Sequence, residues 1–100
     1  MMEVPKHKTY RNEDYKKFIR RPGEIIHHES SLPDAEKATG KKCSDYYGIS
    51  MSDFCHKDRH NMGFFTFWKG QLFAEDENEV IIDLQRVVIK NLIAYIESKR

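Results

Sequence analysis

Ser52-Asp53-Phe54-Cys55-His56-Lys57-Asp58-Arg59-His60-Asn61-Met62-Gly63 is the stretch from which the rest of the chain falls into place. Ser52 is a helix-capping residue type, Asp53 puts negative charge in the first turn, where the helix dipole favours it, and Gly63 has the backbone freedom of a C-terminal cap. The segment between them is predicted to be helical. His56 and His60 then project from one face about one turn apart, the separation that two ligands of a single metal ion require.

A third ligand must come from elsewhere. Upstream, Glu24 to Glu29 reads as a short strand around Ile25 and Ile26, and it carries the doublet His27-His28. Successive side chains on a strand point to opposite faces, so one histidine of the doublet can join the metal while its neighbour serves proton transfer. Three protein nitrogens, an open coordination position and a nearby base are the parts of a hydrolytic metal site. Four of the five histidines fall in these two groups. The fifth, His7, lies in a basic segment without such a partner and is read as exposed.

Working outward, Asn12 is expected to cap a helix through Arg20 that buries Tyr15, Phe18 and Ile19 and stops at Pro22 and Gly23. Ser30 to Gly40 reads as a surface loop with one helical turn at Asp34 to Lys37. Tyr46 to Met51, with Tyr47 and Ile49 alternating, is a second strand. The aromatic block Phe64, Phe65, Phe67, Trp68, Leu72 and Phe73 supplies what a small domain needs inside. Glu79 to Ser98 is a long helix capped by Asn78, with Val80, Ile81, Leu84, Val87, Val88, Leu92, Tyr95 and Ile96 at helical spacing. Ile82, Ile89 and Ile93 extend its apolar surface beyond one stripe, so a homodimer contact through this helix is expected. The fold class is α+β: a single small domain spanning residues 1–100, with its core over about 10–73 and the C-terminal helix over about 79–98.

Composition narrows the function. A chain of 100 residues, 39% hydrophobic, supports one core that is marginal without help, so a bound ion would contribute stability as well as chemistry. Two cysteines are too few for a disulfide framework or a four-cysteine zinc site. No apolar run suits a signal peptide or a bilayer span, and the expected location is cytoplasmic. The net charge of +1 conceals an uneven distribution. Lys6, Lys8, Arg11, Lys16, Lys17, Arg20 and Arg21 crowd the N-terminal part, and Lys41, Lys42, Lys57 and Arg59 surround the histidines, whereas Glu75, Asp76, Glu77, Glu79 and Asp83 gather elsewhere. The half that holds the histidines is the half that attracts a polyanion.

The order helix, strand with His27-His28, loop, strand, helix with His56 and His60 resembles the ββα-metal (His-Me finger) nucleases of the HNH superfamily. Colicin-type DNases share the histidine doublet and the H-x-x-x-H pair. Phage-encoded recombination-associated HNH nucleases are similar over a longer stretch, from about Tyr10 to Trp68. There Gly40, Lys42, Ser44, Asp45 and Tyr46 stand at a turn, and Cys55, His56, His60, Gly63, Phe67 and Trp68 on and after the helix. The chain also departs from that pattern. Ser50 and Ser52 replace a proline and a zinc-binding cysteine, and Arg21-Pro22-Gly23 replaces an upstream cysteine pair, so the structural zinc site of many relatives is lost and Cys55 is left as a thiol. The middle asparagine of the motif is missing too, with Asp45 the nearest polar residue.

The resemblance implies that His27, His56 and His60 bind one divalent ion, zinc, magnesium, manganese or nickel, and that His28 is the general base for hydrolysis of a phosphodiester bond in DNA. Asp45 either orients His28 or serves only as a turn residue. Lys41, Lys42, Lys57 and Arg59 would contact flanking phosphates. Two other readings stay open: a non-catalytic nucleic-acid or protein binder that retains a structural metal, and an interaction protein that uses its C-terminal helix.

Overall fold

The computed structural model describes residues 10–33, 35 and 43–100. Lys41, Lys42 and Gly40 lie outside these residues, as does, apart from Ala35, the helical turn expected at Asp34 to Lys37. The described elements run α1 (Glu13–Ile19), β1 (Ile25–His28), a 3-10 turn (Asp45–Tyr47), β2 (Gly48–Met51), α2 (Asp53–Met62), α3 (Phe64–Leu72) and α4 (Glu77–Ser98). The chain is thus α+β, with four helices and one two-stranded antiparallel sheet among the described residues.

Helix α1 begins where Asn12 Oδ1 accepts the Tyr15 N–H at 3.0 Å, and Glu13 and Asp14 complement the dipole of its first turn. It ends in a tight reversal. The Glu24 N–H returns to the Arg21 carbonyl at 3.0 Å around Pro22 and a Gly23 of φ +78°, the combination that a type II turn demands. That turn aims β1 antiparallel to β2, in the register Ile25 to Met51, Ile26 to Ser50, His27 to Ile49 and His28 to Gly48. A side chain at Gly48 would not fit. Its Cβ would stand 2.7 Å from Ile26 Cγ2 and 2.9 Å from the Asp45 carbonyl, so glycine is what lets the 3-10 turn fold back on the ribbon.

Three expectations are corrected here. Tyr46 and Tyr47 belong to the 3-10 turn and not to the second strand, because Ser44 closes a turn ahead of it: its Oγ accepts the Tyr46 N–H at 3.1 Å and its carbonyl the Tyr47 N–H at 3.1 Å. Helix α4 starts two residues early, capped by Asp76 and not Asn78. Asp76 Oδ1 accepts the Glu79 N–H at 2.9 Å while Glu79 Oε2 accepts the Glu75 N–H at 3.0 Å, an exchange close to a capping box. Phe73 does not join the core; it ends α3 in the left-handed region, at φ 54°, and stays 90% exposed.

The core gathers Leu32, Ala35, Cys43, Ile49, Met51, Phe67, Trp68, Val80, Leu84 and Val88. From α4 it takes Val80, Leu84 and Val88, one stripe at a spacing of four. Full burial of side chains such as Leu84 stabilises the fold by roughly 1.5–3 kcal/mol each. Edge-to-face rings join α1 to α4: Tyr15 and Phe18 stand 5.1 and 5.5 Å from Tyr95. Phe18 keeps 45% of its surface exposed in doing so. No helix among the described residues is long and apolar enough to cross a membrane.

Candidate metal centre

Local signals in the sequence position α2 directly. Ser52 Oγ accepts the Cys55 N–H at 3.1 Å, and Gly63, at φ +84°, ends the helix with its N–H on the Arg59 carbonyl at 3.1 Å. The spacing of four aligns His56 and His60, whose Nε2 atoms are 3.1 Å apart. The alternation of β1 turns His27 toward the same helix, with its ring 5.1 Å from that of His56 and 5.5 Å from that of His60. One ring nitrogen of each of the three lies within 4.8 Å of the others.

This donor set fits a divalent ion. Two nitrogens bound at about 2.0–2.1 Å to one tetrahedral ion stand roughly 3.3–3.4 Å apart, close to the separation seen between His56 and His60. Burial is graded across the cluster, from buried His27 through half-buried His56 to exposed His60. One side of the cluster is anchored in protein and the other opens to solvent.

Behind His27 lies a residue that the sequence did not single out. Glu29 is fully buried, and its carboxylate accepts from His27 Nε2 at 3.0 Å, Arg59 Nε at 3.0 Å, Arg59 Nη2 at 2.8 Å and Trp68 Nε1 at 2.8 Å. Burial pushes this carboxyl up, but the hydrogen bonds from His27, Arg59 and Trp68 outweigh it and bring the pKa down to about 2. An ionised carboxylate only accepts, so in the neutral His27 ring the proton sits on Nε2 and the lone pair on Nδ1. A carboxylate that fixes the tautomer of a ligand in this way is a common partner of metal-binding histidines. The available signal was position: Glu29 is two residues beyond His27, on the same face of the strand.

The same geometry corrects the expectation for Arg59. Its side chain is 11% exposed and its guanidinium is spent on Glu29 and, at 3.1 Å, on Ser31 Oγ, because a buried carboxylate needs a countercharge. It presents no cation to a phosphate. Lys57 is exposed and pairs at 3.2 Å with Asp53, one turn away.

His28 points to the other face of the ribbon, where its Nε2 meets Asp45 Oδ1 at 2.7 Å. Asp45 is fully buried, and its Oδ2 also accepts the Asn12 N–H at 2.6 Å. Burial raises the Asp45 carboxyl, and the bonds from His28 and Asn12 more than offset this, leaving it below the ordinary carboxylate range. By the same argument as for His27, the proton of a neutral His28 ring sits on Nε2. His28 lines a cleft of about 240 Å³ between α1 and β1, with Glu13, Lys16, Lys17, Arg20, Ile25 and Ile26. A second groove, of about 710 Å³, runs between α4 and the 3-10 turn; it is lined mainly by apolar and aromatic side chains, with Ser44 and Gln85, and by none of these histidines. Cys43 is buried and Cys55 half-buried, and neither is in a disulfide.

The structure therefore brings His27, His56 and His60 together and places the His28–Asp45 pair separately, one strand position away. The chain matches no protein-family model, no curated protein and no solved structure.

Proposed function

We propose that the chain is a metal-dependent endonuclease with a ββα-metal core made of β1, β2 and α2, and that it hydrolyses phosphodiester bonds in DNA. The observation that carries this reading is the division of labour within the doublet: His27 joins His56 and His60 in a ligand cluster, while its neighbour His28 is held by a buried carboxylate outside it. A purely structural metal site has no use for a second, carboxylate-oriented histidine beside it.

His27, His56 and His60 would hold the ion, which when bound supplies positive charge for the phosphate and for the departing 3′ oxygen. His28, held by Asp45 at Nε2, would take a proton at Nδ1 from the attacking water. The water oxygen bonds to phosphorus as the bond to the 3′ oxygen breaks, leaving a 5′-phosphate and a 3′ oxyanion that takes its proton from solvent to become the 3′-hydroxyl. Asp45 stabilises the imidazolium that forms, and Glu29 keeps the His27 ring in the ligating tautomer.

Incubation of supercoiled plasmid with the protein and added divalent ion is the test. Nicking that chelator abolishes and that His56→Ala lacks is the expected result. Metal binding without nicking of DNA would instead favour a binding domain with a structural ion.

A further inference from the structure

Of the charges expected to hold the substrate, Lys41 and Lys42 lie outside the described residues, Arg59 is buried on Glu29, and Lys57 is exposed but pairs with Asp53. The cleft beside His28 offers others. Lys16 and Lys17 of α1 and Arg20, its C-cap, line it together with His28. The acids of this helix are occupied: Glu13 pairs with Lys16 at 2.8 Å, and Asp14 accepts from Lys99 at 2.6 Å and from Tyr95 Oη at 2.8 Å. Lys17, in the last turn of α1, and Arg20, its C-cap three residues on, have no ion pair among the described residues and are exposed. Two exposed cations without an ion pair of their own, beside a carboxylate-held histidine and the apolar side chains of Ile25 and Ile26, suit a ligand that alternates anionic groups with apolar faces.

We infer that the α1–β1 cleft is the backbone-binding groove of this protein, in which Lys17 and Arg20 hold phosphates of a nucleic-acid strand adjacent to the one presented to His28. The inference rests on the nuclease reading for the identity of the ligand, and it assigns the phosphate contacts to α1 instead of to the helix that bears His56 and His60. Such contacts position the strand without reading its sequence.

Fluorescence anisotropy of labelled duplex DNA, single-stranded DNA and RNA of equal length tests it, with the full chain in chelator so that no strand is cut. The double variant Lys17→Gln/Arg20→Gln should bind roughly tenfold more weakly to whichever strand type the parent prefers. Its slope of log affinity against log salt should be shallower by about 1.4–1.8, the amount for two lost phosphate contacts. Arg86→Gln/Lys90→Gln, which removes the same charge from α4, should change both far less, and circular dichroism should show the parent fold in each variant. Equal losses in the two double variants, or no loss in the first, overturn the groove while leaving the nuclease reading intact. Weakened binding in a protein that never cuts upholds the groove and removes the nuclease. A parent that binds no nucleic acid overturns both.

Discussion

His28 Nε2 lies 2.7 Å from Asp45 Oδ1, a contact that spans 17 residues of sequence and depends on the 3-10 turn folding over Gly48. The partner is a buried carboxylate whose remaining oxygen is tied to the Asn12 backbone, so the histidine is held from a fixed point.

Replacement of either member therefore has a defined consequence. His28→Ala should retain bound metal and lose about 10²–10⁴-fold in cleavage rate, the usual cost of a missing general base. Asp45→Asn can no longer accept on both oxygens. It should lose a smaller factor, on the order of 10–100, and shift the pH dependence of kcat, which a packing role alone would not do. Rate-against-pH profiles of the two variants make the comparison.

Glu29→Gln is predicted to act on metal affinity and on stability together. The amide breaks the acceptor set shared by His27, Arg59 and Trp68 and leaves the Arg59 charge buried without its partner. Loss of one partner of a buried pair costs about 3–5 kcal/mol, and loss of a carboxylate behind a metal ligand about 10–100-fold in affinity. Urea unfolding of the metal-free protein, alongside metal titration, separates the two effects.

Tyr15 gives an alkaline limit. Burial, with a smaller contribution from nearby Tyr46, pushes its phenol up to about 12 from an ordinary 10. A raised folded pKa means that this contribution to stability is complete below pH 10 and is lost as pH rises toward 12. The Tyr15 hydroxyl has no hydrogen-bond partner among the described residues, so Tyr15→Phe should fold at least as stably as the parent at neutral pH. The variant should also resist base-induced unfolding that the parent shows in its ultraviolet tyrosinate absorbance; coincident alkaline transitions would contradict this.

Helix α4 is expected to pair with a second copy of itself. Ile82, Ile89 and Ile96 recur every seven residues and, with Ile93, keep 48, 53, 56 and 54% of their surface exposed. Asp76, Glu77 and Glu79 crowd the start of the helix and Arg100 follows its end, so antiparallel pairing sets opposite charges side by side. Sedimentation should show a dimer that Ile89→Lys dissolves. A parent that sediments as a monomer at high concentration would refute the pairing.

How much of this was legible in the sequence follows from the range of the interactions. The caps Asn12 and Ser52, the stop at Pro22-Gly23, the helical end at Gly63 and the alternation that separates His27 from His28 all act within a few residues, and each appears where spacing placed it. The cap at Asp76 was missed because Asp76 and Asn78 are both good caps, and the choice depended on where Glu79 could bond. Arg59 differs from its expected place for another reason. Whether an arginine faces solvent or a buried carboxylate 30 residues away is decided by tertiary packing, and no periodicity on α2 reports the position of Glu29.

Three histidines from a strand and a helix are proposed to hold one divalent ion, with the fourth outside its ligand set. Isothermal titration of the metal-free chain with zinc, the ion that a set of imidazoles is well suited to bind, tests this assignment most directly. One ion per chain, affinity that collapses in His27→Ala, His56→Ala and His60→Ala, and affinity retained in His28→Ala are the expected results. Zinc affinity unchanged in His56→Ala, or lost equally in His28→Ala, would contradict the assignment.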